Sequence, residues 1–180
     1  LDFIGAARPS IADPFMPRKI EEGRIEDIRE CIGCNVCISR WERGAALVCS
    51  QNATANEEFR RGWHPEKFTP AQDPGGVLIV GAGPAGLECA RVLGMRGYEV
   101  HLCEAEHEVG GHMLDVMRYP GYSEWGRVIS YRQTQLQKLA NVEIHTSARL
   151  SANDVLRYGA ERVVLAAGAW STPLARTAGL

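Results

Sequence analysis

The chain has 180 residues, 45% hydrophobic and 23% charged, with a formal charge of −2. That balance is ordinary for a soluble globular protein and gives no electrostatic reason to expect nucleic acid or an anionic membrane as partner. No apolar run reaches the length of a membrane-spanning helix and no charged-then-apolar stretch marks secretion, so the reducing cytoplasm is the expected compartment.

The chain opens on Leu1 inside an apolar segment, "LDFIGAA", and stops on "TAGL" just after another, so a piece of a larger protein is expected. Four segments differ in texture. Residues 1–19 give a short apolar strand and then "GAARPSIADPFMPRK", whose Gly, Pro and small residues predict a loop. Residues 20–69 hold most of the cysteines, several charged turns and two tryptophans, with little sustained periodicity. The prolines and glycines of "TPAQDPGG" predict a linker over 70–76.

From Val77 to the end, strands and helices alternate. "VLIV" is a continuous apolar run of the kind buried in parallel sheets, "GLECARVLGMRG" reads as a helix closed by Gly97, and "YEVHLCEA" as a second strand. "SEWGRVISYRQTQLQKLA" predicts a longer helix, with Trp125, Val128, Ile129, Leu136 and Leu139 on one face. "VEIHT" follows as a third strand, "SANDVLRYG" as a short helix with Ser151 as N-cap, and "RVVLAAGA" as a fourth strand. The expected class is therefore α/β, with a doubly wound parallel sheet over 77–180.

Cys31, Cys34, Cys37 and Cys49 form C-x2-C-x2-C-x11-C, a spacing suited to one metal centre rather than to two disulfide bridges. Structural zinc and a 4Fe–4S cluster compete. Zinc sites usually draw ligands from two separated pairs, whereas three cysteines at two-residue gaps let one tight loop reach three corners of a cubane. The cluster is the favoured reading, with Gly33 supplying the sharp turn. Cys89 falls in a predicted helix and Cys103 in a strand, where buried, inert packing is expected.

Gly81, Gly83 and Gly86 make a G-x-G-x-x-G directly after an apolar strand and before a helix, the context that a dinucleotide fingerprint requires. The first glycine permits the tight turn, the second leaves room for a pyrophosphate and the third lets helix and strand pack closely. Glu104 ends the second strand, where a carboxylate accepts hydrogen bonds from ribose hydroxyls and repels a 2′-phosphate. The bland alternative is a Rossmann-like sheet with an empty crevice. A glycine pair, Gly110 and Gly111, follows the second strand, and the fourth ends in Ala167-Gly168. With the fingerprint, these resemble the first nucleotide domain of the flavoprotein disulfide-reductase-like enzymes.

The order of features, "DFIGAARPSIADPFMPRKIEEGRIEDIRECIGCNVCISRW", "CSQNAT", "RRGWHPEKF" and then the fingerprint, resembles the trimethylamine, dimethylamine and histamine dehydrogenase family along essentially the whole chain. The resemblance implies a (β/α)8 barrel carrying covalent FMN, then a 4Fe–4S centre, then a nucleotide-binding region that holds ADP, with FAD as the alternative. Residues 1–7 would be the last barrel strand and its loop, and Arg8 would grip the FMN phosphate. Cys31, Cys34, Cys37 and Cys49 would bind the cluster. Gly81, Gly83, Gly86, Glu104 and Gly111 would bind the nucleotide, and residues 77–180 would be the N-terminal part of its domain.

The mechanism implied is modular: a small amine loses a hydride equivalent to FMN, and the cluster relays electrons singly to an electron-transferring flavoprotein. The intact protein would be a homodimer. The amine-oxidising residues belong to the barrel, so no catalytic residue is assigned in this chain. Cys37 and Cys49 stand one residue closer than their counterparts in the trimethylamine enzyme, which weighs against trimethylamine as substrate. His64 is expected to be structural, and Trp41 and Trp63 to pack around the cluster. The rival resemblance is to the 2,4-dienoyl-CoA and enoate reductases, which run electrons from NADPH through FAD and the cluster to FMN. Their cysteine run tends to have three residues between its second and third members, where "CNVC" has two. A non-catalytic electron-transfer or zinc-binding module is the third possibility.

Overall fold

Residues 4–179 are described by the structure, a computed structural model. The chain divides into two units, Leu1–Phe68 and Thr69–Leu180.

In the first unit, residues 4–6 carry no regular structure, and residues 1–3 of the expected barrel strand lie outside the described residues. The segment expected as a loop instead forms two short helices, α1 (Ala7–Ala12) and α2 (Met16–Glu21). Prolines misled the sequence reading here. Pro9 and Pro17 both sit in first helical turns, where a missing N–H costs nothing because that donor has no partner within the helix. A 3-10 turn at Ile25–Asp27, α3 (Val36–Glu42) and α4 (Glu58–Arg61) complete the unit.

Few apolar side chains are buried in this unit: Ala12, Ile32, Cys37 and Ala55. Its interior is instead polar, and Asp13 is the hub. One carboxylate oxygen takes the Lys19 ammonium at 2.6 Å and the Arg29 N–H at 2.9 Å, while the other accepts the Phe15 N–H at 3.0 Å. Lys19 is itself buried and also donates to the Asp27 carbonyl at 2.8 Å and pairs with Glu66. Gln51 donates to the Glu30 carbonyl, and Asn52 to the Ile11 carbonyl of α1.

The second unit contains β1 (Gly76–Val80), α5 (Pro84–Met95), β2 (Glu99–Cys103), α6 (Met113–Val116), α7 (Arg127–Leu136), β3 (Val142–His145), α8 (Ala152–Arg157), β4 (Arg162–Leu165) and α9 (Ser171–Thr177). All strand pairs are parallel and the order is β3-β2-β1-β4. Alternation along β1 sends Val77 and Ile79 to one face, against Leu87 and Ala90 of α5 and Ile129 and Leu136 of α7. Leu78 and Val80 face the other side with Cys103 and Val155 of α8. Residue-by-residue burial on both faces is why "VLIV" carries no polar position.

The helix expected over 123–140 begins as a 3-10 turn at Ser123–Gly126 and its α-helical part ends at Leu136. Its buried face is the expected one, with Val128, Ile129 and Leu136 inside. Gly97 at φ +93° follows the Arg96 cap of α5, and Ser151 caps α8 in a reciprocal capping box with Asp154. No helix of the described residues is long and apolar enough to cross a membrane.

Because Lys19 neutralises a carboxylate out of water, Lys19→Met is expected to destabilise the first unit by about 3–5 kcal/mol. Limited proteolysis and thermal melting of the intact protein check this. Arg18→Met, removing an exposed ion pair with Glu22, should leave both nearly unchanged.

Candidate functional site

The cysteine loop is shaped by two left-handed residues, Gly33 at φ +68° and Asn35 at φ +57°. Glycine takes that conformation freely and asparagine tolerates it. They curl the chain so that Cys31, Cys34 and Cys37 line one small cavity, which Cys49 joins from the following segment. Arg8 of α1 lines the same cavity, and its guanidinium donates to the Asn35 side-chain carbonyl. The Cys34 sulfur lies 3.2 Å from the Ser50 hydroxyl, and the Gln51 N–H donates to the Cys49 sulfur at 3.4 Å. Burial pushes the Cys49 thiol up, against the pull of the Asn52 and Gln51 N–H groups.

Four thiols on one cavity are a donor set for a soft metal centre. Three of them on one loop at two-residue gaps suit the corners of a cubane better than the paired knuckles of a zinc site.

Asn35, Ser50 and Gln51 were not singled out by the sequence, since polar residues beside cysteines carry no signal of their own. Trp41 and Trp63 do not pack around the cysteines as expected: they are 70% and 47% exposed. Neither aromatic finds an apolar pocket in a unit whose interior is polar, and Trp63 lies under the Arg61 guanidinium at 4.9 Å. His64 stacks on Phe15 at 5.0 Å and accepts the Glu66 N–H at 3.0 Å, a packing role remote from ligation.

In the second unit the glycine turn between β1 and α5 opens on a crevice of about 1050 Å³. Each fingerprint glycine is tested by the methyl group it lacks. At Gly81, φ is +102° and a Cβ would meet the Ala166 carbonyl oxygen at 2.7 Å. At Gly86 a Cβ would stand 1.9 Å from the Gly81 carbonyl oxygen, so only glycine lets α5 approach the strand end. At Gly83 a Cβ would meet nothing within 4 Å, because that side faces the crevice. Gly83 caps α5, whose first-turn N–H groups and positive dipole end favour an anion there.

The glycine pair is built into the same turn. Gly110 donates its N–H to the Ala82 carbonyl at 2.8 Å, and a Cβ on Gly111 would lie 3.3 Å from the Gly83 Cα. Glu104 lines the crevice and is buried. Its carboxylate accepts the Ala82 N–H at 2.8 Å and the Glu106 N–H at 3.0 Å, so it braces the glycine turn as well as facing the crevice. That bracing role left no trace in the sequence. Ala167 and Gly168 also line the crevice, Ala167 close against Gly81. Cys103 is buried and Cys89 half-buried, and burial pushes both thiols up, as expected of inert packing cysteines.

Residues 75–180 match the family model described as pyridine nucleotide-disulphide oxidoreductase. The chain belongs to this family. The crevice, the glycine turn and the parallel sheet are thus parts of a Rossmann-like redox domain. Across nearly its whole length the chain is also similar to larger enzymes. It is 60% identical over 96% of its residues to dimethylamine dehydrogenase of Hyphomicrobium sp. (strain x), of which it covers 24%. The solved structure of histamine dehydrogenase from Rhizobium sp. 4-9 superimposes with a TM-score of 0.91 at 56% identity, over 93% of this chain and 24% of that one. That of 6-hydroxypseudooxynicotine amine oxidase from Pseudomonas geniculata N1 gives 0.90 at 48% identity, over 93% and 25%. The chain therefore spans about a quarter of the length of the relatives it matches. The expected resemblance to dimethylamine and histamine dehydrogenases is borne out.

The open side of Gly83 and the closed side of Gly86 generate a dissociation of effects. Gly83→Val is expected to leave the melting temperature nearly unchanged while abolishing co-purifying nucleotide, measured by chromatography after acid release. Gly86→Val should collapse the fold of this unit and lower the melting temperature instead.

Proposed function

We propose that this chain is the electron-transfer and nucleotide-binding portion of an iron–sulfur flavoprotein that oxidises a small amine. Residues 1–19 would close the FMN-binding barrel, residues 20–69 would hold a 4Fe–4S cluster on Cys31, Cys34, Cys37 and Cys49, and residues 77–180 would bind ADP, free or as part of FAD. The observation that carries this reading is the convergence of four thiols on one cavity, in a chain so similar to amine dehydrogenases.

FMN supplies the two-electron acceptor for the amine and the cluster a one-electron relay to an external carrier such as an electron-transferring flavoprotein. What the chain's own residues do follows from their placement. Gly33 and Asn35 hold three thiols on one loop, and the Ser50 hydroxyl and Gln51 N–H stand beside the sulfurs of Cys34 and Cys49. Hydrogen bonds to cluster thiolates raise reduction potential, so this pair favours electron acceptance. Arg8, anchored by Asn35, sits at the cysteine cavity and would put a fixed positive charge on the flavin phosphate. Gly83 and the α5 N-terminus would take the pyrophosphate, with Glu104 and Gly111 beside it. A carboxylate at the ribose end disfavours a 2′-phosphate and hence NADPH in this crevice.

An anaerobic absorption titration of the intact protein, with small amines and with NADPH added separately, tests the direction of electron flow. Bleaching of the flavin by dimethylamine, histamine or another small amine, with none by NADPH, is the expected result. Bleaching by NADPH with no response to amines would make the protein a reductase of the enoate type.

A further inference from the structure

A second constellation of metal-binding side chains lies in the nucleotide unit, apart from the cysteines. In the β2–β3 register His101 stands opposite Glu143, and Cys103 opposite His145. Parallel pairing and the two-residue period therefore bring His101, Glu143 and His145 to one face at the edge of the sheet. It is the face that further inward holds Leu78, Val80 and Cys103. Three side chains with ligand atoms thus occupy positions where that face would otherwise be apolar or hold solvated charges.

Their geometry is specific. Nδ1 of His101 is 3.4 Å from Nε2 of His145 and 3.6 Å from Oε2 of Glu143, and those last two atoms are 3.5 Å apart. The same three atoms close a near-equilateral triangle. Each side exceeds the range of about 2.7–3.2 Å for an ordinary nitrogen-donor hydrogen bond. Ligands at about 2.0–2.1 Å from a tetrahedral ion stand about 3.3–3.4 Å apart, close to what is found. The two imidazoles are nearly parallel, at 12°, with centroids 5.6 Å apart, and their facing nitrogens stand 3.4 Å from each other. The edge of Tyr158 against the His101 ring, with centroids 5.6 Å apart, helps fix its orientation.

We propose that His101, Glu143 and His145 form a zinc site on the β2–β3 edge of the nucleotide unit. Two imidazoles and a carboxylate supply three ligands and leave a fourth position for water, a donor set suited to zinc. The three side chains are 35%, 65% and 40% exposed, so an ion reaches them without opening the fold. The site would staple β2 to β3 beside the nucleotide crevice, since the backbone carbonyl of His145 accepts the Glu104 N–H at 2.8 Å. The proposal does not depend on the amine-oxidising function, because every residue in it lies on the sheet.

The test is equilibrium dialysis of the intact protein against graded micromolar zinc, counting zinc and iron per chain by mass spectrometry. Three forms are compared: wild type, Glu143→Gln, and the double variant His101→Gln/His145→Gln. Wild type is expected to take up one zinc more than the double variant at unchanged iron. Glu143→Gln should bind that zinc about tenfold or more weakly. Equal uptake by wild type and the double variant would overturn the proposal. Should the double variant not fold, as judged by circular dichroism, Glu143→Gln decides, because its side chain is mostly exposed; affinity equal to wild type then overturns it.

Discussion

A carboxylate with no water around it, that of Asp13, holds the cysteine-bearing unit together. It gathers the Lys19 ammonium of α2, the Phe15 N–H just before that helix and the Arg29 N–H of the chain leading to Cys31. The unit has only four buried apolar side chains among its described residues, two of them alanines. With so little apolar burial among these residues, polar contacts carry much of the order inside the unit. The buried ion pair fixes the geometry rather than supplying net stability, because its desolvation offsets most of its attraction. A cluster held by four thiolates would contribute what the interior lacks, as metals do in other small units without a core. On this account the cysteines are both the redox site and part of the scaffold.

The nucleotide unit rests on the opposite physics. Its sheet is buried on both faces by apolar side chains, and the crevice exists because backbone approaches backbone where no side chain could fit. Gly86 lets the first turn of α5 reach the Gly81 carbonyl, and that contact aims the helix N-terminus at the space beside Gly83. Glu104 and Gly110 then tie the turn to the end of β2 and the loop beyond it through the two backbone groups of Ala82. Binding an anion there needs no ionisable side chain in contact with it, only oriented N–H groups.

How much of this was legible in the sequence follows from the same contrast. Parallel strands buried on both faces must be continuously apolar, so "VLIV" and its neighbours announced themselves, and the fingerprint glycines could be ranked by role before any coordinates. The first unit was harder. Pro9 and Pro17 read as loop punctuation although each occupies a first helical turn, and an interior built from Asp13, Lys19, Arg29, Gln51 and Asn52 leaves no hydrophobic period to read. Trp41 and Trp63 were expected to pack around the cluster, yet both are exposed. His101 and His145 lie far apart in the chain, and only the strand register brings them together.

We propose that Cys31, Cys34, Cys37 and Cys49 hold a redox-active cluster. Iron and acid-labile sulfide analysis of the anaerobically purified intact protein, with low-temperature EPR after dithionite reduction, tests it most directly. The account requires iron and sulfide at four each per chain, with a reduced-cluster signal that Cys37→Ser abolishes. Zinc at one per chain above what the Cys37→Ser variant holds, with no labile sulfide, would contradict it.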